Sequence, residues 1–201
     1  MPFETFEATM WQLAQRYTGK VGYRRGVKSE GLRASSSLID CSGWVGLLLS
    51  QAMEAENIAS GLSAFSATAI SSVQTWSDRI IDVVHTRTHY LFQGEDVCAQ
   101  RLPRSATIGL RMGAPSWANN HPRIRGITHI AQVVHRSRDD AAFVSEAYGG
   151  SERSGLLLAP LDEWLGLMQP YVCSGDVWVV DPSLMAVSRL ENSASDEAVN
   201  R

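Results

Sequence analysis

Ile39-Asp40-Cys41-Ser42-Gly43-Trp44-Val45 is the stretch on which the reading of the fold turns. Upstream, from Gly22 to Ser37, the chain is rich in Gly and Ser and reads as a loop. Downstream, Val45, Leu48, Leu49 and Ala52 share one face at helical spacing. A thiol therefore stands where a loop runs into an amphipathic helix, with Asp40 or its neighbour as the N-cap. Unpaired backbone N–H groups and the positive end of the helix dipole favour negative charge there, the setting of a nucleophilic cysteine. The competing reading is a small buried hydrophobe packing a helix, the commoner fate of a free Cys.

Working outward, Phe6, Met10, Leu13, Ala14 and Tyr17 predict a first helix that stops near Thr18-Gly19. Another helix is expected over 67–79, with Ile70, Val73 and Trp76 inward. The second half changes period. Segments rich in β-formers run from Thr107 to Leu110, Thr128 to Val134, Ala142 to Ala147, Gly155 to Leu158 and Asp176 to Val180, bounded by Gly, Pro, Asn and Asp. A short helix from Pro160 to Met168 separates the last two, and Met112 to Gly126 reads as a long irregular loop. Helices first and strands afterward predict an α+β fold, N-terminal helices packed on an antiparallel sheet.

A nucleophilic thiol needs a base. Of five histidines, His129 heads the strongly β-forming run His129-Ile130-Ala131-Gln132-Val133-Val134, from which its ring could reach the helix N-terminus. His135 shares its strand parity but sits at the far end beside Arg136. His85 and His89 flank an expected loop, and His121 precedes Pro122. The imidazole in turn needs an orienting group. Glu146 in Val144-Ser145-Glu146-Ala147-Tyr148 is the leading candidate, an acid in a strand, with Ser145, Asp140 or an Asn as alternatives. Trp44, Trp164 and Trp178 read as packing residues; Trp117, beside Asn119 and Asn120 in the long loop, reads as exposed and able to line a cleft.

These stretches, with Tyr23-Arg24-Arg25-Gly26 ahead of the thiol and Gly149-Gly150 after Tyr148, resemble the NlpC/P60 superfamily of papain-like cysteine peptidases over about two thirds of the chain. Many members of that superfamily, and of the related CHAP group, cut peptides or amides of the bacterial cell wall. The resemblance implies a papain-like fold, Cys41 as nucleophile, His129 as general base and Glu146 as orienter. It also implies that Asp40 and Ser42 contact the peptide ends of the substrate, that Tyr23 lies by the oxyanion or substrate, and that the Cys41 N–H helps hold the oxyanion. Two departures bear on the cleft: Leu102-Pro103-Arg104-Ser105 replaces the usual Pro-Gly-Asp turn, and the 112–126 loop is longer than usual.

The whole chain, 201 residues with a net charge of −3, is long enough for one core without metal or disulfide staples. The expected organisation is a single catalytic domain over 1–188 and a flexible polar tail over 189–201. The mildly acidic balance and absence of a basic stripe argue against nucleic-acid binding, and no apolar run reaches membrane-spanning length. Three cysteines cannot build a disulfide framework, though Cys98 and Cys173 could pair. No metal-ligand cluster or cofactor motif is readable.

The expected activity is therefore hydrolysis of amide bonds in peptidoglycan stem peptides or cross-links by a cysteine amidase or endopeptidase. No signal peptide is readable in MPFETFEATMWQLAQRY, so synthesis in the cytoplasm and delivery to the periplasm of a target cell are expected. A type VI secretion toxin fits best, with a secretion-apparatus component and a cognate immunity protein as partners. A phage lysin, a lipid-directed acyltransferase or thiol hydrolase of the same superfamily, and a catalytically inactive binding module are the alternatives.

Overall fold

The computed structural model describes residues 3–33, 37–94, 97, 101–113, 123–151 and 153–186; Trp117, His121, Cys98 and the 189–201 tail lie outside them. Helices α1 (Glu4–Tyr17), α2 (Cys41–Ser60), α3 (Ala67–Ser72) and α4 (Ser77–Thr88) precede the main sheet, and α5 (Leu161–Cys173) lies between its last two strands. The strands are β3 (Phe92–Gln93), β4 (Thr107–Leu110), β5 (His129–His135), β6 (Ala142–Gly149), β7 (Ser154–Pro160) and β8 (Val177–Val180). Their spatial order is β3-β8-β4-β5-β6-β7, and every neighbouring pair is antiparallel. The α+β arrangement expected from the order of the patterns is thus observed.

The sheet separates two apolar cores, because strand side chains alternate between faces. Ile130 and Val134 of β5 pack with Phe6, Trp44, Leu48 and Ile80 of α1, α2 and α4. Ala131 and Val133 pack on the other side with Leu161, Trp164 and Met168 of α5. Every residue of β8 and the first six of β5 are buried. A sheet so apolar on both faces requires two covers rather than the single helical layer expected. Trp44, Trp164 and Trp178 are all buried, as expected of packing residues.

α2 starts at its cysteine because Asp40, in extended conformation, accepts the Gly43 N–H on its carboxylate. Gly43 has a separate reason. A Cβ there would come within 2.8 Å of Lys28 Cα and 2.9 Å of the Val27 oxygen, so glycine lets the 27–28 segment lie against the first turn. A two-residue parallel pair, β1 (Gly22–Tyr23) with β2 (Leu38–Ile39), holds the same region and leads straight into Cys41. Strands this short carry no readable period.

The helix expected over 67–79 is two helices with a break at 73–76. Ser71 and Ser72 bond back to the Thr68 and Ala69 carbonyls, offering the backbone an alternative to its own ladder just before β-branched Val73. The chain then restarts with Ile80, Ile81, Val83 and Val84 buried on α4. His85 is therefore in the last turn of a helix and His89 caps it with left-handed backbone, rather than flanking a loop. α5 runs past Met168 through Pro170 to Cys173, since one missing N–H so near the end costs a single bond.

Candidate functional site

Three side chains from three elements converge. Cys41 heads α2, His129 opens β5, and Glu146 lies on β6. The β5–β6 ladder runs only from His135↔Ala142 to Gln132↔Ser145. Beyond it the two strands are joined by side chains: His129 Nε2 and Glu146 Oε2 are 2.7 Å apart, both residues buried. This bond leaves Nδ1 as the ring nitrogen not used by Glu146, and the Cys41 thiol is near enough to act on the imidazole. Burial by itself disfavours the imidazolium. The hydrogen bonds with Cys41 and Glu146, and their negative charge, outweigh it and push the His129 pKa up to about 10.

Alternation along β6 separates the tasks of adjacent residues. Ser145 faces the helices and accepts the Trp44 indole N–H at 3.0 Å, tying α2, which Cys41 heads, to the strand that carries Glu146. Glu146 faces the other way, to His129. Ser145 is therefore engaged by Trp44, and Asp140 belongs to a turn in which its carboxylate binds Arg104. Tyr148, two residues beyond Glu146, meets the His129 ring edge-on at 5.5 Å between centroids. Sequence reading passed over this tyrosine; its position on the strand face of Glu146 was the available signal.

His129 is also placed from the front. Asp78, buried in the first turn of α4, accepts the backbone N–H groups of Ile124, Arg125 and Ile127 at 2.7, 3.1 and 3.0 Å, and thus clamps the lead-in to β5. A carboxylate holding three N–H groups, that of Ile127 in a buried bond, leaves the buried one unsatisfied when removed. We expect Asp78→Ala to lower unfolding stability by about 3 kcal/mol and to reduce turnover by releasing His129. Urea denaturation and initial rates, measured on the same preparation, check both effects.

Cys41 opens into a cavity of ≈ 610 Å³ lined by Tyr23, Arg25, Lys28, Asp40, Ser42 and Arg123, among others, a volume in the range of small-ligand sites. On the far side of the His–Glu pair, a second cavity of ≈ 340 Å³ is lined by Glu146, Tyr148 and α5 residues. The row Cys41–His129–Glu146 thus runs between two cavities. Tyr23 packs its ring over Gly149, where an added Cβ would lie 2.3 Å from Tyr23 Cδ1. Burial, and then the negative charge of Cys41 and Asp40, push its phenol up to about 12; it keeps its proton and can donate a hydrogen bond.

Asp40 and Ser42 line this cavity too, but their polar atoms are already in use. Lys28 Nζ donates to both Asp40 oxygens at 3.0 and 2.8 Å and to Ser42 Oγ at 2.5 Å. Lys28 and Arg123 were not singled out from the sequence, since only the path of the loops brings them to the thiol. Among the described residues no group of three His, Cys, Asp or Glu side chains is placed to hold a metal ion, and no helix is long and apolar enough to cross a membrane. Comparison with protein-family models, with curated proteins and with solved structures finds no match.

Proposed function

We propose that the protein is a cysteine amidase or endopeptidase of papain-like, NlpC/P60 type that hydrolyses amide bonds of peptidoglycan stem peptides or cross-links. The observation that carries the reading is the buried His129–Glu146 pair, bonded through Nε2 and perturbed by the Cys41 thiol, with Cys41 lining an open cavity. Amide chemistry is supported by this geometry; the wall peptide as substrate is supported by the sequence resemblance.

Cys41 Sγ, its proton passed to His129, attacks the amide carbonyl carbon. Charge develops on the carbonyl oxygen, where the Cys41 backbone N–H at the start of α2 and the Tyr23 hydroxyl are the available donors. The C–N bond breaks as His129 returns the proton to the leaving amine. Water, deprotonated by the same imidazole, then hydrolyses the thioester and restores the thiol. Glu146 holds the ring and balances its charge throughout. No step requires a group the chain lacks.

The test is incubation of purified sacculi and muropeptides with the protein, products being assigned by mass spectrometry, alongside lipid esters. Release of a new amine from muropeptides is the expected result. Ester cleavage with intact muropeptides would instead point to a lipid-directed enzyme, and no turnover of either to a binding module. In the proposed setting, an antibacterial toxin delivered to the periplasm of a target cell, a periplasm-directed form lyses cells and a neighbouring gene product relieves the lysis.

A further inference from the structure

We propose that the cavity behind the His129–Glu146 pair is a second binding site, which takes a dipeptide-sized molecule with an N–H donor at its inner end and a free carboxylate at its outer end. This site is independent of the reading of Cys41 as the nucleophile.

Glu146 supplies the inner contact. The residue is 3% exposed, and its Oε2 is committed to His129. Oε1 has no hydrogen-bond partner among the described residues. Glu146 lines the ≈ 340 Å³ cavity on this side and His129 does not, so Oε1 is the oxygen left for an occupant. A carboxylate offers about four lone-pair sites, and the bond to His129 uses one of them. His129 balances the charge of Glu146 but leaves this acceptor capacity open, so the inner contact is a hydrogen bond to an N–H group. A buried acceptor gains most from a donor that water does not have to supply, and the volume lies in the range of small-ligand sites.

Arg153 supplies the outer contact. It stands in the turn between β6 and β7, where its carbonyl accepts the Gly150 N–H at 3.0 Å, and it lines the same cavity from an exposed position. Its guanidinium makes no hydrogen bond or ion pair among the described residues, so its donors and its charge are both available. A guanidinium fork matches a carboxylate. Glu146 and Gly150 are four residues apart along the strand, roughly 13 Å. Two side chains that reach into one cavity from these ends narrow the gap toward the length of an extended dipeptide, about 7 Å. Leu167 and Met168 of α5 and the Tyr148 ring give apolar wall between the two ends. The hydroxyls of Tyr148 and Tyr171, which make no hydrogen bond among the described residues, are placed in that wall for the peptide group.

The experiment titrates alanyl-leucine and its C-terminal amide into Cys41→Ala protein, in which no turnover can consume either, and reads affinity by calorimetry. We expect the dipeptide to saturate in the millimolar range and the amide to bind roughly tenfold more weakly. Arg153→Gln is expected to weaken the dipeptide by that same factor and to leave the amide unchanged. Glu146→Gln, which turns an amide N–H₂ toward the cavity, is expected to weaken both. The ring-nitrogen resonances of His129 should move in step with occupancy, because ring and ligand share one carboxylate. No saturation by roughly 10 mM, equal affinities for dipeptide and amide, or binding that Arg153→Gln or Glu146→Gln leaves unchanged overturns the site. Should Glu146→Gln fail to fold, the N-trimethylated dipeptide, which keeps the charge of its amino end without a donor there, takes its place and is expected to bind roughly tenfold more weakly; equal binding overturns the inner contact. Dipeptide binding of the expected pattern without any muropeptide cleavage by the wild type would retain the site and overturn the hydrolase reading, whereas cleavage without dipeptide binding would do the reverse.

Discussion

Cys41→Ala is expected to abolish release of new amines from muropeptides, a loss of about 10⁶-fold where chemistry limits the rate. The substitution deletes the atom that attacks the carbonyl, and neither His129 nor Glu146 can replace it: one is held between two partners and the other is buried behind it. The fold should persist, because the change removes a single sulfur at the edge of the helical core while the Asp40 cap and the Trp44 anchor remain. A thermal melt within a few degrees of the wild type therefore accompanies the loss, corresponding to about 1 kcal/mol or less. Cleavage by the alanine variant at the wild-type rate would sink the mechanism. The wild type should also form a thioester adduct on Cys41 when quenched in acid, visible as a mass increase on that peptide alone.

The second large effect concerns Glu146 and has two separable parts. Glu146→Ala leaves the His129 Nε2 hydrogen unpartnered in a buried site and frees the ring to turn, so turnover should fall by roughly 10²-fold or more. Glu146→Gln keeps an acceptor oxygen for the ring and removes the charge, so it should retain much of the rate. The charge shows itself instead in stability. His129 is raised in the fold from the ordinary 6.5 to about 10, so folding favours its protonated form. That contribution is fully present below about pH 6.5 and is lost as pH rises through about 10. Denaturation midpoints measured from neutral to alkaline pH should decline across this window in the wild type and decline less in Glu146→Gln. Tyr23, raised to about 12 by burial and nearby negative charge, adds its own loss only above its unperturbed value near 10, so the two slopes can be told apart. A decline as steep in Glu146→Gln as in the wild type would refute the charged pairing.

Together these variants divide the site by task. In the proposed mechanism Cys41 carries the chemistry, Glu146 carries orientation and charge, and Asp78 carries placement of the strand. Asp78 touches no reacting atom, so its effect on turnover should accompany a stability loss, which distinguishes it from Cys41.

Cys41, His129 and Glu146 were legible in the chain because each sits within a regular pattern. Asp40-Cys41 precedes a run of apolar residues at helical spacing, which places the thiol at a helix N-terminus whatever that helix packs on. His129 heads an apolar run and Glu146 interrupts another, so their strand positions could be assigned from period alone. The same local rules misjudged 67–79, where the apolar spacing of Ile70, Val73 and Trp76 continues across a break that serine side chains make in the backbone ladder. They also missed β1, β2 and β3, two residues each, and the need for a second cover on the sheet.

What the amino-acid sequence offered by itself, then, is the order of the longer elements and Cys41, His129 and Glu146 as candidates, the last with Ser145, Asp140 and an Asn as alternatives, because periodicity and helix capping act over a few neighbouring residues. Only the tertiary structure decided the surroundings of the thiol. Lys28, Arg25 and Arg123 come from irregular segments with no period to read, and Tyr148 becomes a neighbour of His129 only through strand pairing. Whether Asp40 faces a substrate or an internal lysine depends on how closely one loop can approach one turn of helix, and that distance is set by the packing of the whole chain around Gly43.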